Sequence, residues 1–370
     1  MSTFAQQCGV HDTARQAALA QTVALIEAGG VELVRFAWCD LHGMPLGRTL
    51  VASQASQDMR DGVGMVSSLL LNDSADHTAF KVFEPDGTKG LPGFEFGANV
   101  LLVADPASFK QLPWADKTGW VQCQSYFTDS QPVVFDTRHV LQTALAQLAD
   151  AGYRMTCGLE IEFYIYKMKP DGLKGALDPQ QADWPGPATP DVSMIHLGYH
   201  LLSEQSMDMT EESMRMVQRT AQALGSPLLS LEIELSPSQV EAMFEATDAL
   251  SAADNMVLLR NAVKQALRRA GCHATFMCRP PFPHIMSSGW HLHQSLVELA
   301  TGANVFMRPA QAPHMTPLDA QYTLSAAGEH YLAGLLAHAR SMTAFCTPHH
   351  QGLRALQTQR AVTAVGAVGP

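Results

Sequence analysis

Two glutamates of this chain, Glu160 and Glu162, have the type and spacing that metal chemistry requires. They lie in residues 158–164, where alternating apolar side chains predict a β-strand, and side chains at positions i and i+2 share one face of a strand. Because neighbouring carboxylates repel each other, their joint ionisation favours a bound divalent cation. The alternative is an amphipathic strand with a solvated acidic face, and the pattern alone leaves both open.

A second pair of glutamates, Glu234 and Glu241, flanks the sequence Ser236-Pro237-Ser238. On one regular strand, residues seven positions apart would point to opposite faces. A Ser-Pro-Ser turn can fold the chain back, so that both carboxylates enter one site. The alternative is a strand, a turn and the acidic first turn of a helix.

Two histidines, His291 and His293, are predicted to share one face of a strand, with Trp290 and Leu292 on the other face. Imidazole nitrogens are good ligands for divalent metals, although paired strand histidines also occur for structural reasons. One histidine could bind metal while the other hydrogen-bonds a phosphate or carboxylate. Four glutamates and a histidine form a hard, mostly oxygen ligand set, which suits Mg²⁺ or Mn²⁺ rather than structural zinc.

Metal ions beside acidic walls fit phosphoryl transfer from a nucleotide. The sequence contains no Walker-type phosphate loop and no dinucleotide-binding glycine motif, so a nucleotide must be held in another way. There is also no nucleophile elbow of the hydrolase type. Cys272, His273 and Cys278 fit no standard zinc spacing, and we interpret them as ordinary residues.

Composition narrows the class of protein. The 370 residues carry 24 basic and 35 acidic side chains, a net charge of −11, which disfavours nucleic acid and anionic membranes as partners. No apolar run approaches the roughly 20 residues of a membrane span, and the first residues do not resemble a signal peptide. Seven scattered cysteines without a Cys-x-x-Cys pair predict reduced thiols in a cytoplasmic protein.

Hydrophobic periodicity predicts the elements that position these residues. A helix and a small, mixed sheet come first, with a hairpin turn at residues 40–43, and residues 105–120 are interpreted as a connection between two domains. Residues 169–190, rich in Pro, Gly and Asp, predict a long surface loop. Helices are predicted at residues 14–28, 137–151, 204–224, 247–270 and within 318–344, and strands at 31–39, 45–51, 100–104, 155–166, 228–235, 274–277 and 289–296.

At these residues the chain resembles the glutamine synthetase family. The paired-glutamate strand and the segment from Glu234 to Glu241 match that family's motifs, and the order and spacing hold from about residue 30 to 345. Further matches are Asp40-Leu41-His42-Gly43 with its N-terminal hairpin, Asp136-Thr137-Arg138 with the start of its catalytic domain, Phe276-Met277-Cys278-Arg279-Pro280, residues 289–296 and residues 302–306.

The resemblance implies an α+β fold: a small N-terminal β-grasp domain at residues 20–130 and a catalytic domain at 131–370, with a curved antiparallel sheet and flanking helices. It also implies a ligase that joins an amine, most simply ammonia, to the γ-carboxylate of glutamate through a γ-glutamyl phosphate. The expected co-substrate is ATP, with Mg²⁺ or Mn²⁺. The expected role is glutamine biosynthesis in nitrogen metabolism, in a homo-oligomer whose subunits share sites.

Residue roles carry over by position. Glu162, Glu234 and Glu241 would hold the metal near glutamate and the amine, while Glu160 and His291 would hold the metal that bridges the ATP phosphates. His293 and Ser295 would line the nucleotide side. Asp61 is the candidate for the aspartate that a neighbouring subunit contributes to deprotonate ammonium, although Asp-Gly is also an ordinary turn.

The chain departs from the family pattern at three places. Met286-Ser287 replaces an Asn-Gly pair. This change, together with Trp290, leaves open the alternative that the enzyme is a γ-glutamyl ligase for a larger amine. Ser238 replaces a glycine. The resemblance ends after Thr347-Pro348, before the family's later arginines and last metal glutamate. We therefore expect a catalytic domain that is incomplete and divergent after residue 348. A shifted reading frame is one hypothesis for this ending, and a non-catalytic paralogue is the alternative to an active enzyme.

Overall fold

A computed structural model of the chain describes residues 2–73, 77–170, 190–307 and 324–347. The predictions for the divergent tail, for most of the loop at 169–190 and for residues 318–323 lie outside the described residues. Two six-stranded sheets dominate the fold. No helix in the described ranges is long and apolar enough to cross a membrane.

The first sheet is mixed, as the sequence predicts. Its strands follow the order β2-β1-β6-β4-β3, with β5 also paired to β6, and only β1 and β6 run parallel. Its elements are α1 (Phe4–Gln7), α2 (Thr13–Leu25) with a π-helical turn (Ile26–Gly30), β1 (Leu33–Cys39), β2 (Pro45–Val51), α3 (Ala52–Asp61), β3 (Val63–Val66), β4 (Asn99–Ala104), β5 (Lys110–Gln111) and β6 (Thr118–Phe127).

The predicted hairpin turn between β1 and β2 is confirmed. The Asp40 carboxylate accepts hydrogen bonds from the backbone N–H groups of His42 and Met44, both at 2.8 Å. Gly43 has a φ of 71°, a conformation that glycine adopts without strain. The pairing of Cys39 with Pro45 closes the turn.

The interpretation of residues 105–120 as a connection between domains was wrong. β6 begins at Thr118 and forms the middle of the first sheet, paired to β1 on one side and β4 on the other. Nearly all residues of β6 are buried, on both faces of the sheet, and three of the buried residues are polar: Gln122, Gln124 and Ser125. These polar residues interrupt the apolar run by which a central strand is normally recognised. Helix α3 and strand β3 were not predicted either.

The second sheet is antiparallel throughout and is built around one long strand. β7 pairs with β10 on one side, and β12 and β11 follow each other along its opposite side. The elements are α4 (Thr137–Asp150), β7 (Tyr153–Met168), β8 (Val192–Ser193), α5 (Glu204–Leu224), β9 (Leu228–Ile233), β10 (Gln239–Asp248), α6 (Ala249–Arg269), β11 (Cys272–Thr275), β12 (Trp290–Glu298) and α7 (Ala326–Cys346).

Helices α5 and α6 cover one face of this sheet. Phe163 and Ile165 of β7 pack there with Val217 of α5 and with Leu259 and Val263 of α6. Alternation along β7 then turns Glu160 and Glu162 to the other face, as predicted. The packed face therefore fixes the direction in which the two carboxylates point.

A buried ion network joins the two sheets. Arg138 at the start of α4 contacts Asp105 at 2.6 Å, Asp254 of α6 at 2.8 Å and Gln124 of β6 at 3.1 Å. Only 8% of Arg138 is exposed. Because its partners belong to both halves of the fold, the guanidinium holds the first sheet against the helices of the second.

We expect Arg138→Met to lower the free energy of unfolding by about 3–5 kcal/mol, because it leaves Asp105 and Asp254 without their shared cation. Urea denaturation followed by circular dichroism measures the change. Lys169→Met is the matched control, since the Lys169–Asp191 pair is exposed and its loss should cost no more than about 0.5 kcal/mol. Equal effects of the two substitutions would contradict the structural role of Arg138.

A candidate metal centre on the second sheet

Strand register brings the predicted site residues together. Glu241 of β10 lies opposite Glu162 of β7, and His291 of β12 lies opposite Glu160. Glu234 follows directly after β9, and the chain reverses between Glu234 and Gln239, whose carbonyl accepts the Glu234 N–H at 3.1 Å. The predicted fold-back at Ser236-Pro237-Ser238 is thus confirmed, and a strand follows it instead of the helix that the alternative interpretation required.

The side chains form two overlapping clusters of metal-binding atoms. One consists of Glu160, Glu241 and His291, and the other of Glu162, Glu234 and Glu241. Within each cluster, one ligand atom from every residue lies within 4.8 Å of the others. Glu241 belongs to both clusters, whereas the family pattern had assigned it to one.

Two histidines orient Glu160. His291 Nδ1 lies 2.5 Å from one carboxylate oxygen, and His293 Nε2 lies 3.2 Å from the other. Burial alone would raise the pKa of Glu160, but these hydrogen bonds hold that pKa below its usual value. These contacts therefore favour the ionised form of Glu160.

Glu162 is held by groups that the motif analysis did not single out. Its carboxylate accepts hydrogen bonds from Gln239 Nε2 at 2.6 Å and from the Gly289 N–H at 2.8 Å. A Cβ at position 289 would lie 2.7 Å from His291 Nε2 and 3.2 Å from the Glu162 carboxylate, so a larger residue there would displace these two side chains. Gln239 stands two residues before Glu241 on one strand face, a spacing that could have identified it.

Ser238 occupies the position of a family glycine and keeps the backbone that a glycine favours. Its φ is 61°, and the side chain is buried. The hydroxyl accepts the Ile195 N–H at 2.7 Å, which ties residues 195–202 to the turn that carries Glu234. This departure thus adds an anchor and leaves the fold-back unchanged.

Carboxylate crowding changes the acidity of the site. Burial, reinforced by the charge of Glu160, raises the pKa of Glu241 to about 8. Burial also raises the pKa of Glu162 to about 7. The hydrogen bond from Gly289 opposes this rise, and the charge of Glu234 adds to it. Without a cation the cluster therefore binds protons near neutral pH.

The donor set fits a hard divalent cation. Glu241 is 5% exposed, and its Oε1 is buried without a hydrogen-bond partner among the described residues. Such an atom is costly unless a cation or proton meets it. Carboxylate oxygens with one imidazole suit Mg²⁺ or Mn²⁺. No cluster of this kind surrounds Cys272, His273 and Cys278 in the part of the chain described.

The remaining predicted residues are spread more widely. Ser295 continues the face of His291 and His293, and its hydroxyl is buried. Asp61 is the exposed last residue of α3, followed by Gly62 at a φ of 80°. Trp290 turns away from the acidic face and packs edge-on against Phe276, with the Arg260 guanidinium 5.9 Å from its ring centre. Its position gives no support to a role in accepting a larger amine.

The chain is similar to known ligases over most of its length. A family model described as the glutamine synthetase catalytic domain matches residues 134–365. A γ-glutamylanilide synthase of Acinetobacter sp is 34% identical over 343 residues, which cover 91% of this chain and 66% of that protein. A glutamate–isopropylamine ligase of Pseudomonas sp is 28% identical over 88% of this chain and 65% of that protein, and the glutamine synthetase of Methanosarcina mazei is 29% identical over 78% and 59%.

Solved structures share the fold. The ligand-free structure of GmaS superposes with a TM-score of 0.69 at 24% identity, covering 90% of this chain and 68% of that one. The Plasmodium falciparum glutamine synthetase gives a TM-score of 0.68 at 16% identity, covering 92% and 63%. The present chain spans 59–66% of the length of the three curated relatives named above.

We expect Mn²⁺ affinity to rise between about pH 6 and about pH 8.5, by about tenfold per pH unit for each proton displaced, because the metal competes with the protons of Glu241 and Glu162. Isothermal titration calorimetry in buffers of different ionisation enthalpy measures both affinity and proton release. Glu241→Gln should abolish binding, whereas Glu245→Gln, an exposed glutamate of the same strand, should not. A pH-independent affinity would contradict the proton-binding cluster.

Proposed function

The chain belongs to the glutamine synthetase family, and on that premise we propose that it ligates an amine to the γ-carboxylate of glutamate in an ATP-dependent reaction. The supporting observation is the double cluster that shares Glu241, because it offers two adjoining cation positions on one acidic face. Two metal positions suit a phosphoryl transfer to the carboxylate that must be followed by attack of an amine on the carbonyl carbon of the acyl phosphate.

In the proposed reaction an oxygen of the glutamate γ-carboxylate attacks the γ-phosphorus of ATP, and the bond to ADP breaks. The amine nitrogen then attacks the γ-carbonyl carbon of the acyl phosphate, inorganic phosphate leaves with the bonding electrons, and the nitrogen loses a proton. When bound, the divalent ions supply charge neutralisation at the phosphate oxygens.

Each protein group has a proposed task. Glu160 and His291, with Glu241, hold the cation beside the phosphates, while Glu162, Glu234 and Glu241 hold the cation beside glutamate and the amine. His293 and Ser295 line the nucleotide side. Asp61 of a neighbouring subunit takes the amine proton, so that the working enzyme is a homo-oligomer. We place it in the cytoplasm, where its seven unpaired cysteines would stay reduced.

Ammonia is the simplest amine, but one observation favours a larger one. The segment tied to Ser238 runs beside the Glu234 turn: the Tyr199 N–H donates to Leu235 at 2.6 Å, and the Leu202 N–H donates to Ile233 at 3.1 Å. It exposes Leu197, at 83%, together with Tyr199 and Leu201. An apolar surface next to the amine side of an acidic site suits an alkyl or aryl amine. Two of the relatives are named for aniline and isopropylamine.

We expect glutamate- and ATP-dependent phosphate release with at least one amine of a panel comprising ammonia, isopropylamine and aniline. If the apolar segment receives the amine, Leu197→Ser should lower kcat/KM for the apolar amines by about tenfold and leave the value for ammonia unchanged. Glu241→Gln is the inactive control. A folded chain that releases no phosphate with any amine would favour the non-catalytic alternative.

Asp61→Asn should lower kcat by about 100-fold or more, as expected for loss of a general base. Asp58→Asn, on the same helix, is the matched control and should retain activity. Mixed oligomers of Asp61→Asn and Glu241→Gln subunits test the source of the aspartate. Activity returns on mixing only if Asp61 serves the site of a neighbour, and an unchanged kcat in the single variant would remove Asp61 from the mechanism.

A further inference from the structure

A basic cavity lies at the edge of the second sheet, away from the acidic cluster. Its volume is about 270 Å³, and it is bounded by helix α6 and strand β11. His273 lies opposite Tyr166 of β7. Tyr166 is four residues beyond Glu162, so the cavity is about 13 Å along the strand from Glu162. The lining residues, none of them acidic, are Lys264, Arg268, Cys272, His273, Ala274 and Thr275.

The two cations of the cavity make no ion pair within the part of the chain described. The Lys264 ammonium lies 5.8 Å from the centre of the Phe276 ring, and Arg268 donates to the sulfur of Met168 at 3.0 Å. Asp191, which directly precedes strand β8, is paired with Lys169 at 2.9 Å. The positive charge facing this cavity is therefore not neutralised by these neighbours.

This arrangement of charge is unfavourable by itself. Arg260, Lys264 and Arg268 stand at i, i+4 and i+8 on α6, a spacing at which like charges repel on a helix surface. The helix dipole favours Arg268 in the last turn, but Lys264 lies a turn earlier. Burial and the charge of Arg260 lower the pKa of Lys264, and burial with the charges of Lys264 and Arg268 lowers that of His273. A bound anion would relieve all of these repulsions.

The backbone of β11 adds polar groups to the same space. β11 pairs only with β7 in the described part of the chain, so its outer edge is open. The Met168 N–H donates to the Gly271 carbonyl at 2.8 Å. The antiparallel alternation then directs the backbone groups of Cys272 and Ala274 toward the open edge. Four residues are too few for a peptide to add as a strand, which favours a small ligand.

We propose that this cavity binds a small, doubly charged oxyanion, a phosphate or a dicarboxylate. Lys264 and Arg268 supply the charge that holds it, and His273, Thr275 and the open backbone edge supply hydrogen-bond donors. This site differs from the acidic face in how it would hold an anion: no metal position adjoins the cavity among the described residues.

Calorimetric titration of the full chain with inorganic phosphate, pyrophosphate and succinate tests the site. Metal is first removed with EDTA, which is then dialysed away because it is itself a polycarboxylate. The titrations are run at constant ionic strength, since a metal-free acidic cluster repels anions. We expect saturable binding of at least one of these anions, and the preferred anion identifies phosphate or dicarboxylate. Lys264→Met, which keeps the apolar stem on Phe276, and Arg268→Ala should each weaken binding about tenfold or more.

Two controls make the result specific. Arg269→Ala removes the neighbouring last-turn arginine, which does not line the cavity, and should leave the affinity unchanged. Glu241→Gln disables the acidic site and should also leave it unchanged. Absence of binding overturns the proposal, and so does equal weakening by Arg268→Ala and Arg269→Ala, which would indicate diffuse attraction. Because Arg268 is exposed, its variant stays informative even if Lys264→Met fails to fold.

Discussion

Repulsion among four carboxylates is the constraint on which the second sheet depends. The register of β7 with β10 and β12 sets Glu162 against Glu241 and Glu160 against His291. A shift of one residue would turn Glu241 in the first pairing, or His291 in the second, to the packed face, because side chains alternate along a strand. The apolar face beneath α5 and α6 prevents that shift. Hydrophobic packing therefore maintains a concentration of charge that electrostatics alone would disperse.

The groups around the cluster shift the pKa values of its carboxylates in different directions. Hydrogen bonds from His291 and His293 stabilise the ionised form of Glu160, whereas burial favours the protonated form of Glu241. Glu162 lies between these extremes: burial raises its pKa, the hydrogen bond from Gly289 opposes the rise, and the charge of Glu234 adds to it. Without metal, protons on the carboxylates reduce their mutual repulsion, which lowers the free-energy cost of keeping them together. A divalent cation that binds then displaces these protons.

The sequence predicted this cluster because strand alternation and turn chemistry act locally. It located the shared face of Glu160 and Glu162, the fold-back before Glu241 and the histidine strand. It did not identify the support given by Gln239 and Gly289, which depends on contacts between distant strands. The strand β6 was missed for another reason: its interior carries Gln122 and Gln124. The burial of Gln124 is compensated by hydrogen bonds from Arg138 and to Gln142, which only the folded chain provides. The direction of Trp290 follows from alternation, but its partners Phe276 and Arg260 do not.

Those partners connect the site to the first sheet. Arg260 lies between Trp290, the residue before His291 of the acidic cluster, and the β1–β2 hairpin, where a Cβ on Gly43 would approach its guanidinium to 3.3 Å. Burial lowers the pKa of the same guanidinium, and the Asp40 carboxylate opposes that shift. A half-buried arginine confined by a tight turn and an aromatic ring has little freedom to move. The hairpin is therefore linked through Arg260 and Trp290 to β12, although the first sheet gives no ligand to either cluster among the residues described.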